Sequence, residues 1–145
     1  MASSPVLFAT HLSRASALVL LAGGVGFLFA ADEILPRLVS GFPAAGAWVG
    51  QLVGAAWLGV ATLNWLNRSL LLGGIYGRPI VATNALMYFV TAMVLVKVVR
   101  PSESPVGMWI LVVPTVLFAA LYSWLLYRGP FEHDLQAGRR SQPQQ

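Results

Sequence analysis

The chain contains no cysteine, which excludes disulfides, thiolate metal sites and cysteine redox chemistry. It also excludes the four-helix membrane oxidoreductases that couple a thiol pair to a quinone. Charge is nearly as scarce. Only 10% of the 145 residues are charged, against about 25% in a soluble domain. The two histidines, His11 and His133, both fall outside the apolar runs. Paired axial ligands for a haem inside a bundle are therefore missing. No carboxylate falls at the middle of an apolar run, where a proton-coupled transporter needs one. No serine–histidine pairing is placed for nucleophilic catalysis. Glu132, His133 and Asp134 lie together but lack ligand spacing, so the sequence calls for no metal and no cofactor.

What is present is hydrophobic: 57% of the residues, with a mean hydropathy of +0.73. A span needs about 20 mostly apolar residues to cross about 30 Å of hydrocarbon. Such runs fall at about 15–31, 44–65, 80–96 and 106–127. They are continuous rather than alternating, which predicts helices and not barrel strands. The expected fold class is an all-α membrane protein, a single domain over 1–145. It is a four-transmembrane-helix bundle with a polar tail at 128–145. A secretory signal peptide is the rival reading of the first run. The length of that run, and Phe29 where a small residue is needed, favour a retained span. Asp32, Glu33 and Pro36 are expected to end span one. Leu35, Leu38, Val39 and Phe42 would then lie along the interface. Pro79 is expected to open span three and Pro114 to kink span four.

The net charge of +4 is read as orientation rather than nucleic-acid binding. Arg14, Arg68, Arg78, Arg128, Arg139 and Arg140 fall on one side, Arg37, Lys97 and Arg100 on the other. The positive-inside rule then puts both termini in the cytoplasm of a multi-pass cell-membrane protein, most naturally of a bacterial inner membrane. Gly46, Gly50 and Gly54 recur every four residues on span two, and Ala22, Gly26 and Ala30 do so on span one. Small residues at this spacing let backbones approach closely. The two stripes are expected to face each other in a hairpin; a homodimer through span two is the alternative.

Polarity concentrates between Trp57 and Pro79, WLGVATLNWLNRSLLLGGIYGRP. Asn64, Asn67 and Arg68 stand at i, i+3 and i+4, on one helical face. With Asn84 they are expected to ring a pocket closed by Gly73, Gly74, Gly77 and Arg78, with Tyr76 beside it. Forked guanidinium donors and glycine N–H groups suit an anionic headgroup, a phosphate or a carboxylate. The competing reading makes the asparagines interhelical hydrogen bonds, worth about 0.6–2 kcal/mol each, and the arginines interfacial anchors. GGIYGRP lacks the Lys-Ser/Thr pair of a nucleotide loop. It reads as a tight turn with glycines at positive φ.

An apolar first span, a proline-containing outer segment, a glycine-rich second span and two further spans make up most of the chain. This layout, with the run NWLNR…GGIYGRP, resembles small bacterial four-span proteins of the DoxX-like kind and neighbouring uncharacterised families. The resemblance implies a four-helix membrane bundle and, for some members, redox or respiratory partners. It carries over no catalytic residue. The functional expectation is a non-enzymatic protein of the lipid bilayer. It binds a lipid-like or isoprenoid ligand, or serves as accessory subunit in a larger membrane complex. The alternatives are a small enzyme acting on a lipid or quinone headgroup through Tyr76, Asp32 or Glu33, and a passive channel or carrier. For the orientation, Ser102→Cys should react with an impermeant thiol reagent from outside intact cells and Ser69→Cys should not. The reverse pattern overturns it.

Overall fold

A computed structural model describes the backbone of residues 4–69, 74–99 and 104–127, with side chains over 7–69, 77–99 and 104–127. The tail at 128–145, with the cluster around His133, lies outside the described residues. Four helices follow one another: α1 (Ser4–Leu38), α2 (Ala47–Leu66), α3 (Gly74–Val98) and α4 (Val106–Tyr127). A 3-10 turn at Ala44–Gly46 leads into α2. No strand occurs among the described residues. Each of the four helices is long and apolar enough to cross a membrane. Their outer surfaces are apolar too: Phe29, Leu52, Leu86 and Ile110 all point outward. A surface of that kind is far larger than any patch a water-soluble monomer tolerates.

Two helix boundaries differ in part from the sequence expectation. Helix α1 is broken at Ala30 (φ −135°, ψ 28°), beside the expected end of span one, but a second helical stretch carries the chain through the acidic pair and Pro36 to Leu38. Pro36 removes one hydrogen bond, the one to the exposed carbonyl of Asp32, near the helix end where the loss is small. An exposed Glu33–Arg37 pair at 3.9 Å spans the same turn. Leu35 and Phe42 do not lie apart along the interface; they reach Gly50 and Gly46 of the next segment. Helix α3 likewise starts before Pro79, at Gly74. Gly74, Gly77 and Arg78 are helical, and among the described residues positive φ occurs at Gly41 alone (76°). That glycine turns the chain between α1 and α2.

The bundle is two hairpins, α1–α2 and α3–α4, with the first pair the more closely packed. Inside lipid, apolar burial gives helices no drive to associate, so close van der Waals contact matters more. The α1–α2 seam is built for it. A Cβ on Gly54 would stand 2.7 Å from the Gly24 carbonyl oxygen and 2.9 Å from the Leu28 nitrogen. A Cβ on Gly50 would stand 2.9 Å from that of Ala31. Gly23 receives the Trp57 ring, which also meets Phe27 edge-on at 5.4 Å.

The seam therefore uses Gly50 and Gly54 on α2 but Gly23, Gly24, Phe27, Leu28 and Ala31 on α1. Ala22 is exposed, Gly26 lies against Ile34 of its own helix, and Ala30 sits at the bend. Gly46 lies against Phe42 rather than α1. Positions 22, 26 and 30 are one residue, about 100° of rotation, away from the contacting line 23, 27 and 31. Between the hairpins, backbone approach is sparse and lies mainly where α1 meets α4. Phe8 and Trp124 touch edge-to-face there at 5.6 Å, so both described chain ends lie at one end of the bundle.

Gly54→Ala should lower unfolding stability in mixed micelles by about 1–3 kcal/mol, the usual cost of overpacking. Gly59, whose Cβ would meet nothing within 4 Å, provides the control. Gly59→Ala should be neutral or stabilising by up to about 1 kcal/mol through helix propensity.

Candidate functional site: a buried asparagine pair beside an apolar cleft

Near the end that carries both described termini, polar side chains from all four helices converge. Asn64 of α2 and Asn84 of α3 face each other as a reciprocal amide pair. Asn64 Nδ2 donates to Asn84 Oδ1 at 2.8 Å, and Asn84 Nδ2 returns a bond to Asn64 Oδ1 at 2.7 Å. The remaining amide hydrogens are used as well. Asn64 Nδ2 reaches Ser16 Oγ at 3.0 Å, and Asn84 Nδ2 reaches the Ile80 carbonyl at 2.9 Å. Ser16 Oγ is in turn 2.7 Å from the Tyr88 hydroxyl. Asn64, Asn84, Ser13 and Ser16 are all 0% exposed. No amide hydrogen is left over for a ligand, so the pair acts as a tie between α1, α2 and α3.

Asn67 and Arg68 do something else. The last four carbonyls of a helix lack internal partners. At the end of α2 the Leu63 carbonyl accepts from the Asn67 backbone N–H at 3.1 Å and from its Nδ2 at 3.0 Å. The Asn64 carbonyl accepts from the Ser13 hydroxyl at 2.8 Å, and the Trp65 carbonyl from Arg68 Nη1 at 2.7 Å. The Arg68 guanidinium also lies 5.1 Å from the Trp65 ring centroid. Asn67 and Arg68 thus close the helix end and do not join the buried pair. Arg78 is exposed on the early turns of α3 and has a contact of its own. The Tyr76 side chain and Gly73 lie outside the described residues. Of the residues expected to ring one pocket, the structure brings together Asn64 and Asn84, and the space between them is closed.

Ser13, Ser16, Tyr88 and Tyr122 escaped the sequence reading. Their signal was spacing: Ser13 and Ser16 stand at i, i+3, and Asn84 and Tyr88 at i, i+4, each on one helical face. Tyr88 stacks on Tyr122 at 5.8 Å (14° between planes) and lies 5.1 Å from Phe118. The Tyr122 hydroxyl is fully buried without a hydrogen bond.

Beyond Tyr88 the hairpins part. A cavity of about 340 Å³ lies between them, walled by Val19, Leu20, Gly23, Trp57, Met87, Tyr88, Pro114 and Thr115, among others. A second cavity of about 190 Å³ shares Trp57, Thr91, Leu111 and Thr115 with it and runs on to Phe27, Phe42 and Gly50. The first alone falls within the range of about 300–1,000 Å³ typical of small-molecule sites. No charged residue or histidine lines either cavity. No known protein family, curated protein or solved structure matches the chain.

Asn64→Leu strands the Asn84 amide in a buried site and should cost about 1–3 kcal/mol of stability. Asn64→Leu combined with Asn84→Leu should cost less than the sum of the single changes, by about 0.6–1.7 kcal/mol. Detergent unfolding of the four proteins measures this coupling; strict additivity would contradict the reciprocal pair.

Proposed function

We propose that this protein is a non-enzymatic, multi-pass protein of the cell membrane, with cytoplasmic termini, that holds a lipid-like or isoprenoid molecule between its two hairpins. The observation that carries the reading is the charge-free cleft of Trp57, Tyr88, Pro114 and Thr115. An apolar opening at membrane depth excludes water and takes up hydrocarbon. Rigid walls make it selective for chains that fit, because dispersion contacts fall off steeply with small gaps. The asparagine pair supports the reading as the element that holds those walls in place. The Asn67 and Arg68 end of α2, which would suit an anionic headgroup, is engaged in closing the helix.

A second reading, accessory subunit or homodimer, is favoured by one separate observation. Gln51, Ala55 and Gly59 share the exposed face of α2. The Gln51 side chain has no hydrogen-bond partner among the described residues. A lipid-facing amide gains by pairing with another helix. The DoxX-like layout agrees with a place beside redox or respiratory partners.

Native mass spectrometry after gentle extraction separates the readings. The cleft reading predicts a retained lipid mass that is lost in Ala22→Phe, which fills the cleft from its exposed rim. The association reading predicts a larger assembly that dissociates in Gln51→Leu. A bare monomer for the unaltered protein would count against both.

A further inference from the structure

Apart from the cleft, the α1–α2 seam carries a groove of about 260 Å³, walled by Ala17, Leu18 and Leu21 of α1 and by Ala61, Thr62 and Trp65 of α2, among others. It shares no residue with either cavity between the hairpins, and no residue of α3 or α4 lines it. Its walls are apolar, because the Thr62 hydroxyl donates to the Leu58 carbonyl at 2.9 Å. Leu18 and Trp65 are exposed on its rim, so it opens outward. Two arginines stand at one end of it. Arg14, Ala17, Leu18 and Leu21 occupy i, i+3, i+4 and i+7 of α1, on one face. Ser13 donates to the Asn64 carbonyl at 2.8 Å, which sets Arg14 level with the last turn of α2. Beyond that turn the Arg68 guanidinium lies 5.1 Å from the centroid of Trp65, itself a wall of the groove. The bond from Arg68 to the Trp65 carbonyl holds the group there and uses one of its five N–H donors. The Arg14 side chain is exposed and has no partner among the described residues.

Among the described residues no carboxylate balances these two charges. The acids there are Asp32 and Glu33, about five turns of α1 away from Arg14. Guanidinium groups pair with phosphate through parallel N–H bonds, and arginine stems reach from apolar surface up to headgroup level. A free phosphate makes no use of the groove, and a neutral lipid makes none of the arginines. A zwitterionic lipid brings its own cation, which cancels part of the attraction. The chemistry that fits groove and charge together is a hydrocarbon chain on a net-negative headgroup. We propose that this groove binds an anionic phospholipid, one acyl chain along Ala17, Leu21 and Ala61 and its phosphate between Arg14 and Arg68. The site is separate from the cleft, and its occupancy does not depend on the cleft reading.

The test uses the full-length protein in nanodiscs of equal parts phosphatidylglycerol and phosphatidylcholine, released for native mass spectrometry. The unaltered protein should retain phosphatidylglycerol over phosphatidylcholine by at least about fivefold, the factor expected of one basic residue at the membrane surface. Arg14→Gln, at an exposed side chain outside the helix-closing contacts, should lower that preference about fivefold, and Arg14→Lys should keep most of it. Arg14→Gln combined with Arg68→Gln should bring the two lipids to parity. Thr62→Phe, which fills the groove from its exposed side, should release the phosphatidylglycerol, whereas Ala22→Phe in the cleft should not. Equal retention of the two lipids by the unaltered protein, or none of either, overturns the proposal. So does a preference that survives the double arginine variant, which would belong to the surface charge at large. Loss of phosphatidylglycerol in Ala22→Phe but not in Thr62→Phe would place the anionic lipid in the cleft, overturning the groove site and leaving the cleft reading standing.

Discussion

The bundle depends on two amides that meet in a place where water cannot serve them. Asn64 and Asn84 belong to different hairpins, and α2 and α3 make no extensive backbone contact of their own. In hydrocarbon an unpaired amide is costly, while apolar contact between helices competes with equally good contact to lipid. The reciprocal pair is therefore a specific reason for these hairpins to adopt one relative position. Its bonds at 2.7 and 2.8 Å, with Ser16 and the Ile80 carbonyl taking the remaining hydrogens, leave no donor unsatisfied. A fully satisfied buried network rigidifies its surroundings; a partly satisfied one does not.

Among the described residues the tie lies at one end of the bundle, and this shapes the rest. Within the first hairpin, glycines let Trp57 and the α2 backbone press onto α1. Across the hairpins, α1 touches α4 near Phe8 and Trp124, and the asparagines bridge α2 and α3. Further along, the cleft opens between the hairpins, lined by Trp57, Tyr88, Phe118 and Pro114. Tyr88 belongs to both regions: its hydroxyl is part of the tie and its ring part of the cleft wall. Stacked against Phe118 and Tyr122, that ring has little freedom to close the gap. The buried Tyr122 hydroxyl, without a hydrogen bond, is a cost that this aromatic packing offsets.

The four helices were legible because lipid demands long, continuous apolar runs, and hydropathy reports these directly. The asparagines were legible as rare polar residues at membrane depth, and Asn64 and Asn84 do meet. Their surroundings were less so. Whether Asn67 and Arg68 turn inward or back onto α2 depends on which carbonyls the helix end leaves open, and periodicity does not encode that. The glycines of GGIYGRP suggested a turn, but at Gly74 and Gly77 the backbone stays helical. The α1 side of the glycine seam was offset by one position, because several small residues at neighbouring spacings are equivalent until the partner helix chooses among them. The cleft had no sequence signal of its own. It arises from what the hairpins fail to fill.

The most direct test of the central tie is side-chain amide hydrogen exchange, followed by NMR on the protein in nanodiscs. The account predicts that the Asn64 and Asn84 NH₂ groups resist exchange with water while that of Asn67, at the exposed end of α2, exchanges readily. A contact between the two protected amides should be observed directly. If Asn64 and Asn84 exchange as fast as Asn67, the hairpins are not joined by this pair, and the cleft loses the element that holds it open.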